Sequence, residues 1–299
     1  MPWSGVVALV LASLLWGTTG TTASFLPDDV SPLAIGASTM GVGGLLLFLA
    51  TARAAVGVLR DRMARRWVAL GAVGVFVYPL AFYAGMDLAG VAVGNVVALG
   101  SGPVFAAVLE WVWERRPLSA RWAVSTGLAV VGIVLLSVGK QVDAAAGPLD
   151  TVAGVGLGLL AGLAYALYTY ASSRAIGGGR PSQGVMGAMF GLGAVLLLPV
   201  LLVTGASLLQ SWNTVGIAAY LAIGPMFIAY LLFGIGLRGI RSSAATTITL
   251  LEPVVATILA VLVVGERLAP IGWVGLALVL AGLTVLVTAR RGPKMAERL

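Results

Sequence analysis

ITLLEPVVAT, residues 248–257, sets a glutamate and a proline side by side in a run otherwise suited to hydrocarbon. A charge is costly at mid-bilayer, and a proline takes a donor out of a helix. Whether Glu252 falls inside a membrane span depends on how the apolar runs around it divide, and that division decides the fold. The chain has 299 residues, 60% of them hydrophobic and 10% charged, with a mean hydropathy of +1.04. Such a composition belongs to an integral membrane protein. Apolar runs of about 20 residues, each able to cross about 30 Å of hydrocarbon as a helix, recur from the first residues to the last. They leave no room for a soluble catalytic domain. The first run, Gly5 to about Leu26, has no Lys or Arg before it and is long enough to span, so it reads as a retained helix rather than a signal peptide.

Dividing the chain at charges and Gly/Pro punctuation gives ten spans, near 4–26, 32–52, 67–86, 91–113, 121–139, 151–172, 182–204, 213–236, 242–264 and 270–289. Glu252 and Pro253 then lie near the middle of the ninth. Of the 18 Lys and Arg, all but Lys140 and Arg267 fall on one side of this arrangement. The other side carries those two with Asp28, Asp29, Asp87, Asp143, Asp150 and Glu266. Basic loops stay cytoplasmic, so both termini are expected in the cytoplasm. A formal charge of +7 does not point to nucleic acid here, because the basic residues sit in short clusters between spans and read as topology signals. Cys and His are both absent. That removes thiol and imidazole chemistry and the commonest soft-metal ligands, so no metal and no cofactor is expected.

The chain also resembles itself. Shifted so that Gly5 meets Gly154, it aligns Val6, Leu11, Ala12 and Leu14 with Val155, Leu160, Ala161 and Leu163. At the same shift Gly85, Leu88 and Gly90 meet Gly234, Leu237 and Gly239. With one more residue inserted, Pro103, Val104, Ala106 and Leu109 meet Pro253, Val254, Ala256 and Leu259, and Gly132 and Leu136 meet Gly282 and Leu286. The halves are 1–149 and 150–299. Each holds an odd number of spans, so the second enters the membrane from the opposite side. The expected fold is therefore all-α, ten transmembrane helices forming two inverted-topology five-helix repeats around a central cavity.

Trp16-Gly17 in the first span, Gly102-Pro103-Val104 in the fourth, Glu252-Pro253-Val254 in the ninth and Gly265-Glu266-Arg267-Leu268 after it resemble the drug/metabolite transporter superfamily. More narrowly, the chain is similar to EamA-type ten-helix exporters, and among these to the YddG-type amino-acid exporters. The resemblance implies an inner-membrane carrier whose cavity is formed by helices of both halves, with the fifth and tenth spans peripheral. It also implies export of amino acids, aromatic ones included.

Three roles are open to Glu252: binding a substrate ammonium, accepting a coupling proton, or capping backbone donors beside Pro253. Pro253 and Pro103 occupy matching places in the two halves, where each would free carbonyls and serve as a hinge, or else simply kink a packed helix. Gly154, Gly158 and Gly162, four apart, permit close helix contact. Beyond them Tyr165 and Tyr168, with Trp16 as the first-half counterpart of Tyr165, are candidates to line a cavity where planar substrates stack. Tyr78, Asn95, Ser101 and Thr249 are further mid-membrane candidates. For each of these, ordinary helix packing competes with substrate contact. Glu110, near the cytoplasmic end of the fourth span, is expected to snorkel toward Arg115 and Arg116. Residues 53–66 read as a basic loop drawn to anionic lipid.

A transporter of small molecules explains the repeat, the paired prolines and the sparse buried polar groups together. No nucleophile–base constellation supports a membrane-embedded enzyme, and a channel or scaffold explains less. With no Lys or Arg inside a span, polyanions fit badly. Small neutral or zwitterionic metabolites, amino acids foremost, fit better, with other metabolites or drugs as the alternative and a proton as a conceivable coupling ion.

Overall fold

The structure, a computed structural model, describes residues 3–27, 29–89, 91–115, 118–138, 148–265 and 267–287. The described residues are helical, with no strand among them. The helices are α1 (Trp3–Ala23), α2 (Pro32–Ala50), α3 (Ala52–Arg60), α4 (Arg62–Ala89), α5 (Val91–Glu114), α6 (Ala120–Val138) and α7 (Pro148–Gly177), followed by α8 (Ser182–Thr204), α9 (Trp212–Leu221), α10 (Ala229–Gly236), α11 (Ser242–Ile248), α12 (Leu251–Leu259) and α13 (Pro270–Val287). Among the described residues eight helical segments are long and apolar enough to cross a membrane, and Ala120–Leu136 is a shorter apolar helix. The 24-residue α5 packs among them. Large apolar side chains such as Leu202, 83% exposed, and Leu262, 76% exposed, point away from the bundle. In water that surface would be a liability; against lipid it is the expected solvent-facing side.

Local chemistry sets the helix starts. Ser31 caps α2 by accepting from the Ala34 amide at 3.2 Å, with Pro32 in the first turn, where its missing N–H costs nothing. Asp61 Oδ1 accepts from the Met63 and Ala64 amides at 2.8 Å and starts α4. The stretch expected to be a basic loop is therefore helical: α3 buries Ala55 and Val58 and exposes Arg53 and Arg60, as an amphipathic segment at a membrane interface does.

Two expected spans are not single α-helices. The eighth is α9 and α10 joined by a π-helical stretch, Ala222–Ile228, around Pro225. The ninth breaks after α11: Thr249 and Leu250 form a turn, α12 restarts at Leu251, and a second π-helical stretch, Ala260–Val264, ends it. The expected break at Pro103 does not occur, since α5 runs unbroken from Val91 to Glu114. Pro253 sits in the first turn of α12, where its missing N–H needs no helical partner.

Glycines let the helices meet. Along α7, a Cβ on Gly154 would come within 2.5 Å of the Ala89 Cβ, and one on Gly162 would collide with Ser101. The glycine ladder thus seats α7 against α4 and α5, as its spacing suggested. α2 lies against α8, α6 against α13, and α1 against α10 and α12. Gly43 of α2 abuts the Ala222 carbonyl, while Gly193 of α8 abuts the Ala72 carbonyl of α4.

Candidate functional site

Helices from both halves surround a cavity of about 80 Å³. Trp16 of α1 closes one wall: its indole N–H donates to the Pro225 carbonyl at 2.7 Å, within the π-helical stretch where carbonyls lose their regular partners. The same ring packs on Tyr230 at 5.0 Å and Phe233 at 5.4 Å between centroids. Tyr168 and Tyr230 share a hydroxyl–hydroxyl bond of 2.8 Å, and Tyr165 and Thr249 one of 2.6 Å. Thr249 lies in the turn between α11 and α12, so α7 is fastened directly to that break. Tyr78 stacks on Phe82 at 5.4 Å and leans on Tyr165 at 5.9 Å. The Thr39 hydroxyl oxygen, on α2 in the same lining, is buried and has no hydrogen-bond partner among the described residues.

Glu252 lines this cavity from the first turn of α12, an end of a helix that favours negative charge. Tyr78, Tyr83, Tyr165 and Tyr230 lie within electrostatic reach of its carboxyl. Among the described residues that carboxyl makes no hydrogen bond or ion pair. The third role open to it, capping local backbone, is not the one it plays here.

The sequence candidates divide accordingly. Trp16, Tyr78, Tyr165, Tyr168 and Glu252 line the cavity, and Thr249 stands one bond behind Tyr165. Asn95 and Ser101 do not line it; Ser101 turns back to the Ala98 carbonyl at 3.3 Å and packs on Gly162. Pro103 and Pro253 are buried in helix packing rather than in the lining. Thr39, Tyr83, Pro225 and Tyr230 were not singled out. A signal for two of them existed: Tyr83 follows Pro79, and Tyr230 follows Pro225, by about one helical turn.

At the end of the bundle that carries the basic loops, the helices are tied together. Glu110 of α5, expected to turn to Arg115 and to Arg116, which lies outside the described residues, makes its bonds to the start of α11 instead of to Arg115. Its Oε2 accepts from Arg241 Nη2 at 2.7 Å, Arg241 Nε at 3.1 Å and Ser243 Oγ at 2.8 Å, and its Oε1 from Ser242 Oγ at 2.7 Å and the Ser243 amide at 2.9 Å. Free amides at the start of α11 and a guanidinium make a better site for a buried carboxylate than an exposed arginine on its own helix. Arg174 pairs with Glu114 at 3.2 Å and lies over Trp67, and Arg180 pairs with Asp61.

The family model of EamA-like transporters matches this chain twice, over residues 3–138 and 152–288. The chain belongs to the EamA-like transporter family. It is a multi-pass membrane protein of a family of transporters rather than of enzymes. An EamA relative, the uncharacterized transporter YwfM of Bacillus subtilis (strain 168), is 36% identical over 297 residues, covering 97% of this chain and 95% of YwfM. The threonine/homoserine exporter RhtA of Escherichia coli (strain K12) is 28% identical over 233 residues, covering 73% of this chain and 74% of RhtA. A solved crystal structure at 22% identity superposes with a TM-score of 0.78, covering 95% of this chain and 96% of that one, so the two share a fold.

Proposed function

We propose that this EamA protein is a secondary transporter working by alternating access, exporting small neutral or zwitterionic metabolites, amino acids including aromatic ones foremost, across the inner membrane. Ten helices in two inverted five-helix repeats surround the substrate, with both termini cytoplasmic. The observation that carries the reading is the cavity itself: an aromatic chamber reached by both halves, holding one carboxyl unpartnered among the described residues, with ion pairs and the Glu110 clamp tying helices together at the basic end. A carrier needs a chamber of this kind and one sealed face at a time.

The packing supports the repeat. α2, the second span, packs on Ala222–Ile228 of the eighth, and α8, the seventh, packs on α4, the third, so the two contacts exchange partners as a pseudo-twofold axis in the membrane plane requires. The double family match, one in each half, supports it too. The name of RhtA, an exporter of threonine and homoserine, supports amino acids as substrates and outward movement. The absence of Lys and Arg from the lining supports neutral or zwitterionic cargo over polyanions.

Purified protein in liposomes loaded with unlabelled amino acid and challenged with the labelled one tests the reading. Saturable counterflow, abolished by omitting the internal amino acid, is the expected result. Flux that rises without saturation indicates a channel, and no flux with any amino acid, nucleoside or drug overturns transport.

A further inference from the structure

Resting on the carrier reading above, we infer that the cavity recognises its substrate by a protonated amine and gives a substrate carboxylate no cationic partner. Glu252 is the one acidic residue in the lining, and no Lys or Arg accompanies it. Nor does the sequence offer one nearby: it has no His, and no basic residue falls between Arg66 and Arg115, between Arg180 and Arg238 or between Arg241 and Arg267. Two carboxyls inside the bundle, the buried Glu110 and the half-buried Glu252, are therefore treated oppositely. Glu110 is saturated by Arg241, two serine hydroxyls and an amide. Glu252 faces empty space with its acceptor capacity unspent.

The walls around it suit a cation. Ring faces carry the negative end of the aromatic quadrupole, and Trp16, Tyr78, Tyr83 and Tyr230 surround the cavity. The Tyr78 and Tyr83 hydroxyls make no hydrogen bond among the described residues, and the Thr39 oxygen is an additional unused acceptor. An ammonium carries three donors and one positive charge, which these acceptors and Glu252 can meet. A carboxylate placed there meets only hydroxyl donors and is repelled by an ionised Glu252. A zwitterion is accordingly held by its amine end, its carboxylate tolerated at the mouth.

Three derivatives of one aromatic amino acid separate the ends: phenylalanine, its amide with the carboxyl neutralised, and its N-acetyl form with the amine neutralised. Binding to the purified protein is read by titration calorimetry, and competition by counterflow in liposomes. The amide is expected to bind as well as phenylalanine or up to about tenfold better, and N-acetylphenylalanine at least about tenfold worse. Glu252→Gln is expected to erase most of the difference between the amide and the N-acetyl form. Equal binding of the two blocked compounds to the unaltered protein, or an order that survives Glu252→Gln, overturns the inference, as does failure of all three to bind. If Glu252→Gln does not purify, the order on the unaltered protein decides alone. Binding in the expected order without counterflow overturns the carrier reading and leaves amine recognition standing. Counterflow of all three alike does the reverse.

Discussion

Replacing Glu252 by Gln removes the titratable group of the lining that can hold a negative charge beside bound substrate while leaving its shape almost unchanged. If the carboxyl takes part in the cycle, parent transport varies with pH and the Gln variant's does not. Turnover in the variant should also fall by about tenfold, equivalent to roughly 1.4 kcal/mol. Initial rates in liposomes across a pH series check both, and parallel profiles would remove Glu252 from the cycle. Trp16→Phe tests a different bond. Losing the indole donor removes the one side-chain bond from α1 to the Pro225 carbonyl, which costs about 0.5–1.5 kcal/mol of stability and is read as a lowered Tm in detergent. Glu252 was visible in the sequence because a carboxyl surrounded by hydrocarbon stands out without any partner being known. Glu110 was misplaced for the converse reason. Linear reading sees Arg115 and Arg116, whereas the partner that wins, Arg241, lies on a helix of the other half. Tyr165 to Thr249 and Tyr168 to Tyr230 are likewise long-range choices that no local pattern announces.

Between helices, the bond network at the basic end and the glycine ladder make separate predictions. Glu110→Gln weakens a clamp built from charge-assisted hydrogen bonds, each worth about 1.5–3 kcal/mol, and should favour opening of that end by tenfold or more in population, about 1.4 kcal/mol per decade. The chain contains no Cys, so a single cysteine placed at the fully buried Ser172 reports opening through its rate of thiol labelling. An unchanged labelling rate would reduce the clamp to passive packing. Gly154→Leu pushes α7 off α4, since even a Cβ meets the Ala89 side chain and amide at 2.5 and 2.6 Å, and should destabilise the fold by about 1–3 kcal/mol. Thermal unfolding of that variant beside Gly156→Leu, whose site is open, provides the check. Helix positions were legible because length and apolarity fix them. The break before Glu252 was placed at the proline when it falls at Thr249 and Leu250, because a proline is tolerated in a first turn and the strain moves upstream. α3 was hidden because its arginines, which signal topology in a span count, also form the wet face of a short amphipathic helix.

For the molecule as a whole, the apolar pattern settled that the chain lives in a membrane, and the internal shift suggested how its halves relate. The cavity was only half legible: it was assembled from one residue here and two there on separate helices, and α4 and the α9–α10 segment contributed Tyr83 and Tyr230, marked by nothing more than their spacing from Pro79 and Pro225. Cysteine scanning of the proposed topology should find residues 53–66 and 174–180 accessible from one side of the membrane and residues 205–211 from the other; any other pattern would dismantle the inverted arrangement.

Among the described residues no ion pair matches the Glu110 clamp at the far end, where the proposed repeat puts Ala260 in its place and Gln210 donates a neutral bond to Asp29 at 2.8 Å. In a carrier of the proposed kind a latch on one face alone stores no work. Detailed balance forbids it from pumping, so it sets only where the empty protein waits and makes the half-saturating concentrations on the two sides unequal. Net efflux must then draw its direction from the solute or ion gradient, not from the asymmetry of the protein.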